Sequence, residues 1–134
     1  MKSSRILVAF ALVFTACSVR ADEPQWKHLS SAMGDLPVPG PSTEQTGALV
    51  ADLDKDGTND FVISFRKTAP ALVWYRRCVS GWERYVIDTN FLTVEAGGAV
   101  NDIDGDGNPD ILDKPYTWEA PRIDVWLLVS PLAK

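Results

Sequence analysis

The chain has 134 residues, with 18 acidic against 13 basic side chains and a formal net charge of −5. That length suits a single ordinary domain, and the acidic balance, with no basic stripe, excludes the electrostatic footprint of a nucleic-acid binder. Two cysteines 61 positions apart, Cys17 and Cys78, are too few for a disulfide-rich scaffold.

The first segment reads MKSSRILVAFALVFTACSVRADE. Lys2 and Arg5 precede an apolar run from Ile6 to Phe14, and Val19 and Ala21 have the spacing of a signal-peptidase site. Residues 1–21 therefore read as a secretory signal peptide, too short to span a bilayer as a stable helix. Thr15-Ala16-Cys17 resembles a lipobox, with Phe14 where leucine is usual, so lipid anchoring through Cys17 stands as the alternative. Loss of residues 1–21 removes three basic residues and no acidic one, moving the formal charge from −5 to −8. Only Cys78 remains after cleavage, so no intramolecular disulfide staples the mature chain. It is expected to be a half-buried passenger. A secreted or periplasmic chain this small needs another source of stability, and bound metal is a known one.

Residues 22–46 come next. QWKHLSS, around Trp26, is the counterpart of GWERYVID around Trp82, and is expected to be the outer strand of a preceding sheet. A Pro-rich connection, MGDLPVPGPSTEQTG, follows as an exposed loop. From Gly47 the sequence repeats. GALVADLDKDGTNDFVIS, starting at Gly47, aligns with GGAVNDIDGDGNPDILDK, starting at Gly97. APALVWYRR, from Ala69, aligns further on with APRIDVWLL, from Ala120, which matches Trp74 with Trp126. The two units, residues 47–96 and 97–134, have a period near 50 residues, in the range of propellers and solenoids. Short aromatic and β-branched runs bounded by Gly, Pro and Ser predict strands throughout, and no helical stripe is sustained. Each unit reads as a small antiparallel sheet: strand, aspartate loop, strand, Pro-containing loop, strand, Gly turn, outer strand. The second unit lacks the outer strand.

In DLDKDGTND and DIDGDGNPD the acids fall at loop positions 1, 3, 5 and 9, with Gly at position 6. Carboxylates at that density repel one another unless a cation sits among them. Calcium takes six to eight oxygens, alternating residues in a tight turn aim carboxylates inward, and glycine permits the turn. The candidate metal residues are Asp52, Asp54, Asp56, Thr58 and Asp60 in the first loop. In the second they are Asp102, Asp104, Asp106, Asn108 and Asp110. Position 7, Thr58 or Asn108, would offer a backbone carbonyl. A solvated turn explains one such loop; two in register argue for metal. Position 12 is Ile63 or Asp113, and the flanks are strands. Neither an EF-hand nor a dockerin-like pair, which need Glu and helices there, fits.

With its Gly-Ala or Gly-Gly lead-in, its D-x-D-x-D-G-x-x-D loop and the V-W-Y or V-W strand that follows, the chain resembles the FG-GAP or VCBS repeat family, integrin-alpha-like β-propeller repeats, from about Trp26 to Leu128. The resemblance implies an all-β fold of antiparallel β-propeller blades with calcium between the first two strands of a blade. It also implies a carbohydrate or protein partner outside the cell, or attachment to an enzyme such as a lyase or dehydratase. About two blades' worth of strands cannot close a ring, since propellers have four or more. The remaining blades are expected from a homo-oligomer or from a longer chain.

No catalytic motif is present: there is no G-x-S-x-G, H-E-x-x-H or phosphate-cradling loop, and the single histidine, His28, falls on an expected edge strand. The richest ligand candidate is DKPYTWEAPRID, residues 113–124, where Tyr116, Trp118 and Arg122 could stack on and hydrogen-bond a sugar. Packing of Tyr116 and Trp118 against a neighbouring sheet is the alternative. Two functional classes stay open. One is a secreted calcium-binding module that recognises a glycan or an extracellular protein; the other is part of a propeller enzyme such as a polysaccharide lyase or sugar dehydratase.

Overall fold

A strand read by water on one side alternates apolar and polar residues, but DFVISF and LVWYRRC do not alternate cleanly. Strands of that kind are covered on both faces. The computed structural model, which describes residues 23–90, 94–114 and 125–128, places both in the middle of a four-stranded antiparallel sheet. The strands are β1 (Gln45–Ala51), β2 (Asp60–Phe65), β3 (Leu72–Cys78) and β4 (Gly81–Asp88), in spatial order β1-β2-β3-β4. A three-stranded antiparallel sheet follows, formed by β5 (Ala99–Asn101), β6 (Asp110–Asp113) and β7 (Trp126–Leu128) in that order. No helix occurs among the described residues. The fold is therefore all-β, as the strand signals require.

Register decides which residues share a face. Val62 lies opposite Leu49 and Trp74, and Phe61 lies opposite Val50 and Tyr75. One face of the first sheet thus carries Leu49, Val62, Leu72 and Trp74; the other carries Phe61, Ile63, Val73 and Tyr75. The first face packs against the second sheet. Leu53, Val62, Leu72 and Ile111 form one buried cluster, bordered by Leu49, Trp74, Val100 and Leu128. Burial of each large side chain there contributes about 1.5–3 kcal/mol. The opposite face holds Phe65, Val73 and Tyr75 with Phe61, Ile63 and Trp82 around them, under Leu36 of the Pro-rich segment. Phe61 stacks on Tyr75 with ring centroids 4.8 Å apart, and Trp82 meets Phe61 edge-on at 4.7 Å. The Tyr75 hydroxyl donates to the Pro37 carbonyl at 2.9 Å, which pins the segment over this face.

One glycine in each lead-in is crowded, Gly47 in the first and Gly98, which aligns with Ala48, in the second; Gly97, the counterpart of Gly47, is open but left-handed at φ 94°. A Cβ on Gly47 would sit 2.6 Å from Ser64 Oγ, and one on Gly98 would sit 2.8 Å from the Leu112 carbonyl and 3.2 Å from Leu49. Gly98 therefore lets β5 approach both its partner β6 and the Leu49 side chain of β1.

Two elements differ from the sequence expectation. Residues 23–30 form no strand pairing, although QWKHLSS reads as an outer strand; Trp26 is fully exposed. Trp126 pairs with Asp113 and Leu127 with Leu112, whereas Trp74 pairs with Val62. Leu127, not Trp126, thus holds the register position of Trp74. Twelve residues separate β6 from β7 against six between β2 and β3, and the longer connection enters the pairing one residue out of step. The signal segment lies outside the described residues.

Candidate metal centres

Each aspartate loop is the connection of a hairpin, β1 to β2 or β5 to β6, and closely similar hydrogen bonds shape both, the cap differing by one donor. Position 1 caps the loop. Asp52 accepts from the Asp56 N–H at 3.0 Å and the Gly57 N–H at 2.9 Å, while Asp102 accepts from the Gly105 and Gly107 N–H groups, both at 2.9 Å. Position 3 accepts from the N–H of position 5, at 3.2 Å for Asp54 and 3.0 Å for Asp104. Position 5 accepts from the N–H of position 7, at 2.8 Å for both Asp56 and Asp106. Short polar side chains bonding to backbone two residues on are what make Asp a turn former. Positions 4 and 6 are left-handed in both loops, with φ of 60° at Lys55, 79° at Gly105, 89° at Gly57 and 88° at Gly107. The conserved geometry explains the position-6 glycine. Lys55 shows that position 4 tolerates a side chain, at a cost of about 1–2 kcal/mol.

The result brings three carboxylates together in each loop. Oxygen atoms of Asp52, Asp54 and Asp56 all lie within 4.8 Å of one another, as do those of Asp102, Asp104 and Asp106. The donors are hard carboxylate oxygens with no imidazole or thiolate among them, a set that suits calcium or magnesium over zinc or copper. Three such groups, with further oxygens from the loop, fit a calcium ion chemically; the three aspartates of each loop would hold one.

The position-9 aspartates behave differently. Asp60 is 1% exposed, and its two oxygens accept from Trp74 Nε1 at 3.0 Å and the Arg77 N–H at 2.7 Å. It ties the end of the loop to β3. Asp110 is fully buried and accepts from the Ile103 N–H at 2.9 Å. Both serve as anchors under the cluster. At position 7, Thr58 is exposed, whereas Asn108 is buried with its Nδ2 unpaired. The Asn108 Oδ1 accepts from the Lys55 ammonium, which links the two loops directly.

The loops also differ in their counter-charge. Arg76 of β3 pairs with Asp54, lies 3.8 Å from Asp56, and reaches Glu83 at 3.7 Å. Its hydrogen bond to Asp54 raises the guanidinium pKa further above its ordinary range. The second repeat has VWLLV where the first has VWYRR, so an apolar residue stands there in either register. Sequence reasoning missed Arg76. Its signal was the two-residue alternation that puts position 76 on the same face of β3 as Trp74, which itself binds the loop's last aspartate. The Lys55 link has no such signal, because it joins loops 53 residues apart.

The half-buried Cys78 thiol has its pKa pushed up by burial and then by Glu83, against an opposing effect of Arg76, so it is poorly suited to thiolate chemistry. Tyr116, Trp118 and Arg122 lie outside the described residues. Comparison with protein-family models, curated proteins and solved structures finds no match for this chain.

Proposed function

We propose that this chain is a secreted, calcium-stabilised β-propeller repeat protein of the FG-GAP or VCBS type, working as a binding module for a glycan or an extracellular protein. The carrying observation is the recurrence of one loop geometry. Two three-carboxylate clusters, each with a position-1 aspartate cap, the same two left-handed positions and a buried position-9 aspartate, stand at the same point of two stacked sheets. A solvated turn has no need to gather its acids twice in one arrangement. Calcium is structural in this reading: it relieves repulsion among loop carboxylates and rigidifies the hairpin that carries them. Affinity in the range of about 10⁻⁴–10⁻³ M suits an extracellular module. The segment around Tyr116, Trp118 and Arg122 is the proposed ligand surface.

Asp104→Ala is the cleanest probe, since Asp104 accepts one loop N–H whereas Asp102 accepts two. Titration calorimetry with calcium, paired with thermal melts in calcium and in chelator, tests the assignment. The wild-type melting temperature rises with calcium, and Asp104→Ala loses much of that rise with little change in chelator. Equal loss in both conditions, or no heat of calcium binding, overturns the metal assignment.

A further inference from the structure

We propose that Lys55, a residue of the first loop, is a positioning residue for the second. Its ammonium holds Asn108, at position 7 of the second loop, in the place from which the Asn108 backbone carbonyl can join the carboxylates of Asp102, Asp104 and Asp106 around calcium. The inference rests on the calcium reading above and concerns what this chain's own side chains do toward that ion. Among the described residues, Lys55 alone has a positive φ without being glycine, at 60°, where the second loop has Gly105 at 79°. That conformation costs a lysine what it does not cost glycine, so a left-handed lysine points to a role for its side chain. The counter-charge of its own loop comes from Arg76, which pairs with Asp54 and lies 3.8 Å from Asp56. The Lys55 ammonium crosses instead to the second loop and donates to Asn108 Oδ1.

Asn108 needs that donor. It is 3% exposed, and its Nδ2 has no hydrogen-bond partner. Thr58, its counterpart in the first loop, is exposed and open to water. Without the Lys55 ammonium, both polar atoms of a buried amide stand unpaired, a cost the side chain escapes by turning out toward solvent. The backbone at 108 would move with it. Because the Asn108 N–H donates to Asp106 Oδ1 at 2.8 Å, that movement disturbs the position-5 carboxylate as well as the position-7 carbonyl. Contacts behind a metal ligand tune affinity through its orientation. Electrostatics alone argues the other way. A fixed cation near a calcium loop repels the incoming ion, so removing its charge should tighten binding. The sign of the change at the second loop therefore separates positioning from repulsion.

Titration calorimetry with calcium, on the full chain in an Asp54→Ala background, reads the second loop. Lys55→Met, which keeps the side chain's length without a donor, should weaken that binding about three- to tenfold, the scale of one hydrogen bond. Lys55→Arg, which restores a charged donor, should recover most of the loss. Lys55→Gly repeats the test with the residue that the second loop itself has at position 4, so the left-handed backbone is kept without strain. In an Asp104→Ala background, which reads the first loop, Lys55→Met should bind at least as tightly as its parent. Second-loop affinity that is unchanged or tighter in both Lys55→Met and Lys55→Gly overturns the proposal. An equal loss at the two loops also overturns it, since that marks a general loosening of the fold. A parent chain that binds no calcium at all defeats the calcium reading and this proposal together. A parent that binds, with Lys55 variants that bind as it does, defeats this proposal alone.

Discussion

Arg76 and Asp113 are the two residues whose charge state says most about the site. Arg76 occupies the first loop as an internal cation, against Asp54 and Asp56, so a calcium ion there must displace it. Arg76→Leu should strengthen calcium binding at the first loop about three- to tenfold, on the scale of about 1 kcal/mol for a part-exposed ion pair. It should leave the second loop unchanged. Calorimetry on the variant in an Asp104→Ala background isolates the first loop, and unchanged affinity would remove Arg76 from the account. Asp113 is 4% exposed on β6, where burial pushes its carboxyl pKa up despite the N–H donated by Lys114. A carboxyl raised in the folded state favours the protonated form. Its stabilising contribution is therefore complete below the ordinary carboxylate pKa and is lost as pH rises through the raised value. Asp113→Asn should raise the melting temperature at pH 7 and flatten its decline between pH 4 and 7, as melts across that range would record.

Among the elements, how much was legible in advance depends on how locally each feature is encoded. The hairpins around the aspartate loops were readable because Asp, Gly and strand patterning act within a dozen residues: β2 starts at Asp60 and β6 at Asp110, the last acids of their loops. The gathering of the carboxylates at positions 1, 3 and 5 is encoded just as locally. The sequence also counts Asp60 and Asp110 among the ligands, but these accept hydrogen bonds from Trp74, Arg77 and Ile103 instead of joining the three-carboxylate groups. The burial of Asp60 under Trp74 was not readable, because it depends on the β2–β3 register. The register of β7 was also hidden, since a twelve-residue connection fixes no phase. The glycine shared by both lead-ins was visible as a repeat signature, but the need for Gly98, where the first repeat has Ala48, is a close approach that only packing reveals. Gly98→Ala tests that cause. The added methyl meets the Leu112 carbonyl at 2.8 Å, and backbone cannot swing aside as a flexible side chain does. A loss of about 1–3 kcal/mol is expected, read as a lower denaturant midpoint at unchanged slope. A loss below a few tenths would mean β5 has room to move.

At the scale of the whole molecule, the question is whether two small sheets unfold as one. A three-stranded sheet is near the lower limit of independent stability and needs an apolar face covered. Here that cover is mutual. Ile111 of β6, 4% exposed, shares a cluster with Leu53, Val62 and Leu72 of the first repeat. The Lys55–Asn108 bond ties the loops above that cluster, and Arg66 pairs with Glu95, just ahead of β5, at 2.6 Å. These are one hydrogen bond and one part-exposed ion pair, each of modest worth, so the shared cluster carries most of the coupling. Ile111→Ala should then cost about 2–5 kcal/mol and shift the entire unfolding transition. Tryptophan fluorescence, which includes Trp74 and Trp82 in the first sheet, should move together with far-ultraviolet circular dichroism. If the fluorescence transition stays in place while part of the circular dichroism signal melts earlier, the second sheet unfolds alone. The contact between the sheets would then be too weak to serve as the repeating joint of a larger ring.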